Sequence, residues 1–484
     1  MTDTVGILTV DIGSSSLRVS LFDGELNLID TLSEKCATEI HPDVEAYWAS
    51  IEAMARRLVG THGSLEVRAI GVSALVGWVF VDERGLLVAP VFSWMDQRKV
   101  QQHALLKAMD GAEFSDRTGR RLSAEQGGLK LRYLKDDLPG TYGCTARMLS
   151  IKDYINFRFC GIFGMDHTTA CYTALFNVHD LSWDEAIIRA LDVDAAKLPR
   201  LFAGGAVLGT VLPEVAGSLG LSTETVVVTC GPDGSVAVLG AGGVKPGDAV
   251  SVMGTSDVFF AVSSERVLDA DRHLVTNPHV LSGLWLIGGP LGMAGGALEW
   301  YASTLLDGRY TLDQLNALGV AVPPGADDLL FLPSLTGERT PFWNPAVRGT
   351  VAGLTRDHGP GHLFRALMEA NSFAIRRILD VLDGLGVPVE HISAIGGGAD
   401  SELWLRIKAD VCGVRVDVPQ SLEATTRGCA LLAWRALNGK KPLPETPPLR
   451  RSLEAEPVGH ARYARSYARY LRLMALAEAF YASD

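Results

Sequence analysis

Short apolar runs alternate with longer amphipathic stretches along most of the chain. Apolar residues cluster at 5–10 and 17–22 on either side of Gly13-Ser14-Ser15-Ser16, and again at 249–253 and 258–262 on either side of Gly254-Thr255-Ser256. Each pair predicts a β-hairpin, because an extended run, a glycine-led polar turn and a second extended run make the pattern of a reversing strand. The two glycines stand 241 positions apart, so one device is used twice. Further strand-like runs fall at 69–73, 78–81, 226–229, 284–287, 392–395 and 414–418, while apolar spacing of three and four predicts helices at 48–58, 363–385 and 402–411. Strands interleaved with helices predict layered α/β domains.

At 484 residues and 47% hydrophobic, the chain exceeds one ordinary core. Val244-Lys245-Pro246-Gly247-Asp248 lies near the midpoint and separates the two turns, which makes it the expected boundary and hinge. The expected domains are 1–244 and 245–440, followed by a Pro-rich linker and docking helix over 441–484. On that helix Tyr463, Tyr467, Tyr470 and Met474 share one face and Arg462, Arg465, Arg469 and Arg472 another. A docked helix with solvated arginines is the plainer reading, and an anion-binding or partner face the alternative.

A net charge of −12 speaks against a nucleic-acid surface, so any anionic ligand is held locally by backbone N–H groups or a metal. The stretch 274–298 carries no charge and is long enough to span a bilayer, but Pro278, Pro290 and its glycines read as strands and turns leading into a helix. No membrane association is expected. Seven cysteines without a C-x-x-C pair indicate neither a zinc site nor a disulfide framework. Together with a start lacking a basic and apolar leader, they lead to the expectation of a cytoplasmic protein.

Chemistry is expected at the strand ends. Asp11, just before the first turn, could hold hydrated magnesium beside a polyphosphate, or could be a turn cap. Glycine lets backbone approach phosphate, and Ser14, Ser15, Ser16, Thr255 and Ser256 add uncharged donors. Gly231-Pro232-Asp233-Gly234 fits an ordinary β-turn by composition. It also sits at the carboxyl end of a strand, where Asp233 could take the proton of a hydroxyl attacking a phosphate. Gly396-Gly397-Gly398-Ala399 joins a strand to a helix and permits a flat ligand against bare backbone, without the spacing of a dinucleotide fingerprint.

Taken in order, these segments resemble the FGGY family of carbohydrate kinases, members of the actin-like ATPase superfamily, over roughly residues 5–440. Residues 10–23 resemble the family's opening "DIGTTSTKAVLFD" hairpin, and Trp94-Met95-Asp96-Gln97-Arg98 its "W-x-D-x-R" loop. Lys130-Leu131-Arg132-Tyr133-Leu134 resembles the first signature, and 166–170 the segment "TDYSxAS". Glu338-Arg339-Thr340-Pro341 with Asn344-Pro345 and Arg348-Gly349 is similar to "GERxPxxNPxxRG", and Arg427-Gly428-Cys429-Ala430 to the "LGAA" helix.

The resemblance implies two actin-like, ribonuclease H-like ATPase domains with a deep interdomain cleft and a magnesium-dependent transfer from ATP to a sugar or polyol. Asp233 is then the catalytic base and Asp11 the metal residue. Gly13, Ser14, Ser15, Ser16, Gly254, Thr255 and Ser256 hold phosphates, and Gly396, Gly397, Gly398 and Ala399 the adenosine. Leu75, Val76, Trp78, Trp94, Asp96 and Arg98 join Asp233 around the acceptor. A homodimer is a further family expectation. Xylulose kinases form the nearest branch, but their "SGQMHG" segment is replaced here by Ser73-Ala74-Leu75-Val76-Gly77-Trp78, which lacks the histidine. D-xylulose is the expected acceptor, another polyol the alternative. A sensor that binds without turnover is expected to have lost the base or a phosphate turn, and Asp11, Asp233 and Gly254-Thr255-Ser256 are all present.

Overall fold

The computed structural model describes residues 4–36, 39–96, 109–420, 423–439, 441–444 and 447–482. Strands β1 (Thr4–Ile12), β2 (Ser16–Asp23) and β3 (Leu28–Lys35) form a meander, followed by helix α1 (Val44–Thr61) and strand β4 (Leu65–Ala74). Helices α2 (Gly127–Asp137) and α3 (Ile151–Cys160) precede β5 (Val207–Thr210), β6 (Val226–Pro232) and α4 (Asp233–Gly240). A second meander of β7 (Gly247–Met253), β8 (Ser256–Ser263) and β9 (Trp285–Met293) leads into α5 (Gly295–Trp300) and the long α6 (Pro360–Gly384). The chain continues through β10 (Val389–Ile395), α7 (Glu402–Cys412), β11 (Arg415–Pro419), α8 (Ala424–Asn438), β12 (Leu449–Leu453) and α9 (Pro457–Tyr481).

Internal contacts gather these elements into two units. The first is Met1–Gly240 with Thr276–Trp285 and Glu423–Glu445, and the second is Ala241–Val275 with Leu286–Leu422 and Thr446–Asp484. The division differs from the expected domains. It falls after Gly240 rather than 244, and α8 joins the first unit instead of the second. The reason is close packing. A Cβ on Gly240 would lie 1.7 Å from the Ala424 carbonyl oxygen and one on Gly428 would lie 2.3 Å from that of Val236, so α4 and α8 meet backbone to backbone.

The first sheet runs β5–β6–β4–β1–β2–β3, with β6, β4 and β1 parallel and the other neighbours antiparallel. In the second unit β9, β8, β7, β10, β11 and β12 are consecutive neighbours in one sheet, with β7, β10 and β11 parallel, β8 antiparallel to β7 and β12 antiparallel to β11. One layout is thus built twice, as expected of two actin-like domains. Sequence pattern follows position. Central β4 is buried from Ala69 to Ala74 and apolar there except for Ser73, as a strand covered on both faces must largely be, whereas edge strand β3 is mostly exposed.

Helix α1 starts at Asp43, whose carboxylate accepts the N–H groups of Glu45 and Ala46 at 3.0 Å each, and it buries Ile51, Ala55 and Leu58. Helix α9 is a docked helix, because Tyr463, Tyr467, Tyr470 and Met474 are all buried. Phe373 on α6 meets the rings of Tyr463, Tyr467 and Tyr470. Arg462, Arg465 and Arg472 face solvent. No helix among the described residues is long and apolar enough to cross a membrane.

Candidate active site

Three parallel strands of the first unit end together. Ile12 on β1 pairs in register with Ala74 on β4, and Ala74 with Pro232 on β6, so Asp11 lies level with Ser73 and Gly231. Asp233 comes one residue beyond that line and opens helix α4 instead of sitting in a turn. With neighbouring strands ~4.8 Å apart, β1 and β6 are separated by about 10 Å. Side chains at those two ends can therefore approach the same small ligand.

The carboxylates there are under electrostatic stress. Burial and then repulsion from Asp233 raise the Asp11 pKa from 3.8 to about 7; Arg18 pulls it down and Glu423 adds repulsion. Asp11 Oδ1 is buried without a hydrogen-bond partner among the described residues. Burial also raises the Asp233 pKa, against the lowering pull of the Gly234 N–H, which donates to Asp233 Oδ1 at 2.7 Å. Arg18, opposite Asp11 in the β1–β2 register, is ion-paired with Glu423. Sequence reasoning passed over both residues. Antiparallel register places Arg18 directly across from Asp11, and that signal was available in the hairpin pattern.

The first turn is a four-residue loop, Gly13 to Ser16, closed by Ile12 opposite Leu17 and by the Gly13 N–H on the Ser16 carbonyl at 2.9 Å. Ser14 and Ser15 are exposed. From the end of β3, Cys36 donates its N–H to the Ser15 carbonyl at 3.1 Å. The second turn is one residue tighter, with Met253 opposite Asp257 and the Gly254 N–H on the Ser256 carbonyl at 3.0 Å. Its carbonyls are taken up by α5. The Gly295 N–H donates to the Gly254 oxygen, and the Gly296 N–H to that of Thr255, each at 3.0 Å.

Neither turn glycine is demanded by the fold. Gly13 and Gly254 have negative φ, and an added Cβ would meet only its own turn, at 3.4 and 3.5 Å respectively. A side chain there would instead cover backbone that faces outward. Both sites thus have the open cradle that a phosphate group requires.

Gly396-Gly397-Gly398-Ala399 lies beside the second turn, because β10 pairs with β7 up to Ile395 opposite Val252. Gly396 has φ 85° and would press a Cβ to 2.8 Å from the Met253 oxygen; Gly397 opens onto free space. Ala399 departs from the expected contact. Its methyl group is fully buried in the core, which leaves only backbone for a ligand.

The proposed acceptor residues divide into several kinds. Val76 is half-buried and Trp94 is 39% exposed, with the Trp94 N–H donated to the Val76 oxygen at 3.0 Å. Leu75 is buried, its N–H fixed to the Ile12 carbonyl at 2.8 Å. Trp78 has no exposed surface; its indole N–H donates to the Glu125 oxygen at 2.7 Å and its ring abuts Gly127. It supports the segment from behind instead of lining it. Asp96 forms a buried ion pair with Lys130 of α2 at 2.8 Å, anchoring the loop after Trp94. Arg98 lies outside the described residues.

A second buried cation stands behind β6. Lys152 pairs with Asp153 and, at 2.6 Å, with Asp166, whose carboxylate also accepts the Thr169 N–H at 2.9 Å. Asp166 Oδ1 would lie 3.8 Å from a Cβ on Gly231, so this network braces the strand end that carries Asp233.

Comparison with known proteins agrees with this architecture. The N-terminal domain of the FGGY family of carbohydrate kinases matches residues 6–240, and its C-terminal domain residues 249–437. Xylulose kinase of Escherichia coli (strain K12) is 30% identical over 447 residues, covering 91% of this chain and 92% of that protein. Gluconokinase of Bacillus subtilis (strain 168) is 28% identical, covering 89% and 87%. Among solved structures, a xyloylose kinase from Brucella ovis superposes with a TM-score of 0.90 at 26% identity, over 99% of this chain and 100% of that one.

Proposed function

Because the chain belongs to the FGGY family of carbohydrate kinases, and is thereby a phosphotransferase with an alcohol acceptor, we propose that it transfers the γ-phosphate of ATP to a hydroxyl of a ketopentose such as D-xylulose. The observation that carries the roles is the strand-end geometry: Asp233 follows Pro232, in register through Ala74 with the end of β1, and Asp11 sits beside that line. Asp233 accepts the proton of the attacking hydroxyl. Burial raises its pKa and makes it a stronger base than an exposed aspartate, while the Gly234 N–H favours the ionised form.

The residues at Asp11 fit a magnesium ion. An unpartnered buried oxygen next to further carboxylate charge is a site that lacks positive charge. Asp11 would hold the ion, which when bound offsets phosphate charge. Gly13, Ser14, Ser15 and Ser16, and likewise Gly254, Thr255 and Ser256, give backbone and hydroxyl donors to phosphate oxygens. Gly396, Gly397 and Gly398 lie along the adenosine.

Val76 and Trp94 face the acceptor, with Leu75, Trp78 and Asp96 holding them in place. An apolar segment discriminates hydroxyls weakly, since strong selection comes from pairing each one. A sugar acid is the second reading, favoured by the similarity to a gluconokinase. The test is ADP release from MgATP with D-xylulose, D-gluconate, glycerol and a no-acceptor control. Release with D-xylulose above the others supports the ketopentose, release with D-gluconate moves the acceptor to a sugar acid, and silence with all of them contradicts the reading.

A further inference from the structure

Beneath the second turn lies a buried polar cluster that none of the roles above uses. Lys408 on α7 is 0% exposed, and its ammonium donates to Ser251 Oγ at 2.9 Å, to Asp257 Oδ2 at 3.1 Å and to Asn371 Oδ1 at 3.4 Å. Ser251 Oγ in turn reaches both Asp257 oxygens, at 2.9 and 3.0 Å. Ser251 stands on β7 and Asp257 on β8, and Asp257 opposite Met253 is the last pair before the Gly254-Thr255-Ser256 loop. The lysine therefore grips both legs of the hairpin at its mouth.

Stability is a poor reason for such a cluster. A fully buried ion pair costs about as much in lost hydration as it returns in attraction, and apolar residues of the same volume often do as well. What an ion pair adds is directional constraint. Here two ladder strands and a helix are held to one another within three residues of Gly254. Charge gives a second reason. A bare carboxylate at Asp257 would stand immediately behind a loop meant for phosphates and would repel them, and Lys408 cancels it.

We propose that Lys408 is a positioning residue for nucleotide binding: through Asp257 and Ser251 it fixes the Gly254-Thr255-Ser256 loop in the conformation that accepts phosphate. The proposal rests on the kinase reading, and nucleotide binding without acceptor separates the two. If the wild-type chain fails to bind MgADP in calorimetry, the kinase reading falls. If it binds, Lys408→Met is expected to weaken MgADP about tenfold, close to 1.4 kcal/mol. In turnover assays KM for ATP rises by a similar factor while kcat changes less than threefold.

A merely structural lysine is distinguished by Lys408→Met/Asp257→Asn, which removes both buried charges together. Its melting temperature is expected to recover toward wild type, because no unpaired charge remains. Its MgADP affinity is expected to stay at least fivefold weakened, because the clamp is still gone. This double variant also serves if Lys408→Met alone does not fold. Wild-type affinity in either folded variant, or affinity that returns in step with melting temperature, overturns the proposal.

Discussion

The two hairpins share a pattern of strands and a glycine-led turn, yet they handle charge in opposite ways. In the second, Asp257 is buried against Lys408 and Ser251, and the charge beneath the turn is balanced within the unit. In the first, Asp11 has one oxygen without a partner and a pKa raised to about 7, close enough to Asp233 and Glu423 to be repelled by both. Arg18 opposes this, and it is engaged by Glu423. A duplicated scaffold thus has one end whose charge is balanced and one whose carboxylate charge is not, the end to which the proposed function assigns a cation. On the proposed function the difference separates two tasks: gripping phosphate with neutral donors, and doing chemistry beside it.

The same contrast holds one strand further along. After β4 comes the Leu75 to Trp78 segment, and after its counterpart β10 comes the glycine loop at Gly396. After β6 comes Asp233, whereas β11 ends at Pro419 with Gln420 next. In the proposed function, equivalent strand ends serve the acceptor in one unit and the nucleotide in the other.

The largest expected effect breaks the first unit alone. Asp233→Ala lowers turnover by about 10² to 10⁴ while MgADP still binds, as calorimetry and coupled ADP assays would report; normal turnover would remove Asp233 from the chemistry. Stability should sort the two aspartates next. Asp257→Asn leaves Lys408 buried without its counter-charge and costs about 3 kcal/mol in urea unfolding. Asp11→Asn removes an unsatisfied charge and leaves stability unchanged or slightly higher, a common trade at functional positions. Equal losses in both variants would erase the contrast.

A smaller effect is its pH dependence in metal-free protein. Folded Asp11 holds its proton up to about 7 and unfolded Asp11 only to 3.8, so the folded state carries the extra proton between those values. Stability from this group is therefore present at low pH and declines as pH rises through that window, and Asp11→Asn should lack that part of the slope. Urea midpoints measured in EDTA at pH 5 and pH 8 would check it.

Much of this was legible in the chain. Both hairpins, Asp233 at a strand end and the glycine loop at Gly396 follow from local patterns, because a strand, a turn and a strand-to-helix junction are decided within a few residues. What escaped depends on residues far apart in sequence. That α8 packs with the first unit, although the family's C-terminal domain match runs to residue 437 as the sequence leads one to expect, is fixed by Gly240 against Ala424, a pairing no local window reveals. Trp78 reads as a pocket residue in the sequence because tryptophan beside apolar neighbours fits both a lining and a core. Gly127 and the Glu125 carbonyl, nearly fifty residues on, decide for the core. Asp96 is held by Lys130, which the sequence carries 34 positions away on a helix that no local pattern joins to the loop. Asp233 shows the reverse. Pro-Asp-Gly composition fits a turn, but β6 runs through Pro232 and Asp233 is the first residue of a helix.

The division between the hairpins is tested most directly by ADP titrations with and without magnesium on three proteins: wild type, Asp11→Asn and Asp257→Asn. The account predicts that magnesium tightens ADP binding to wild type and to Asp257→Asn, and that Asp11→Asn loses this gain while still binding metal-free ADP. A full magnesium effect retained in Asp11→Asn, or lost equally in Asp257→Asn, would contradict it.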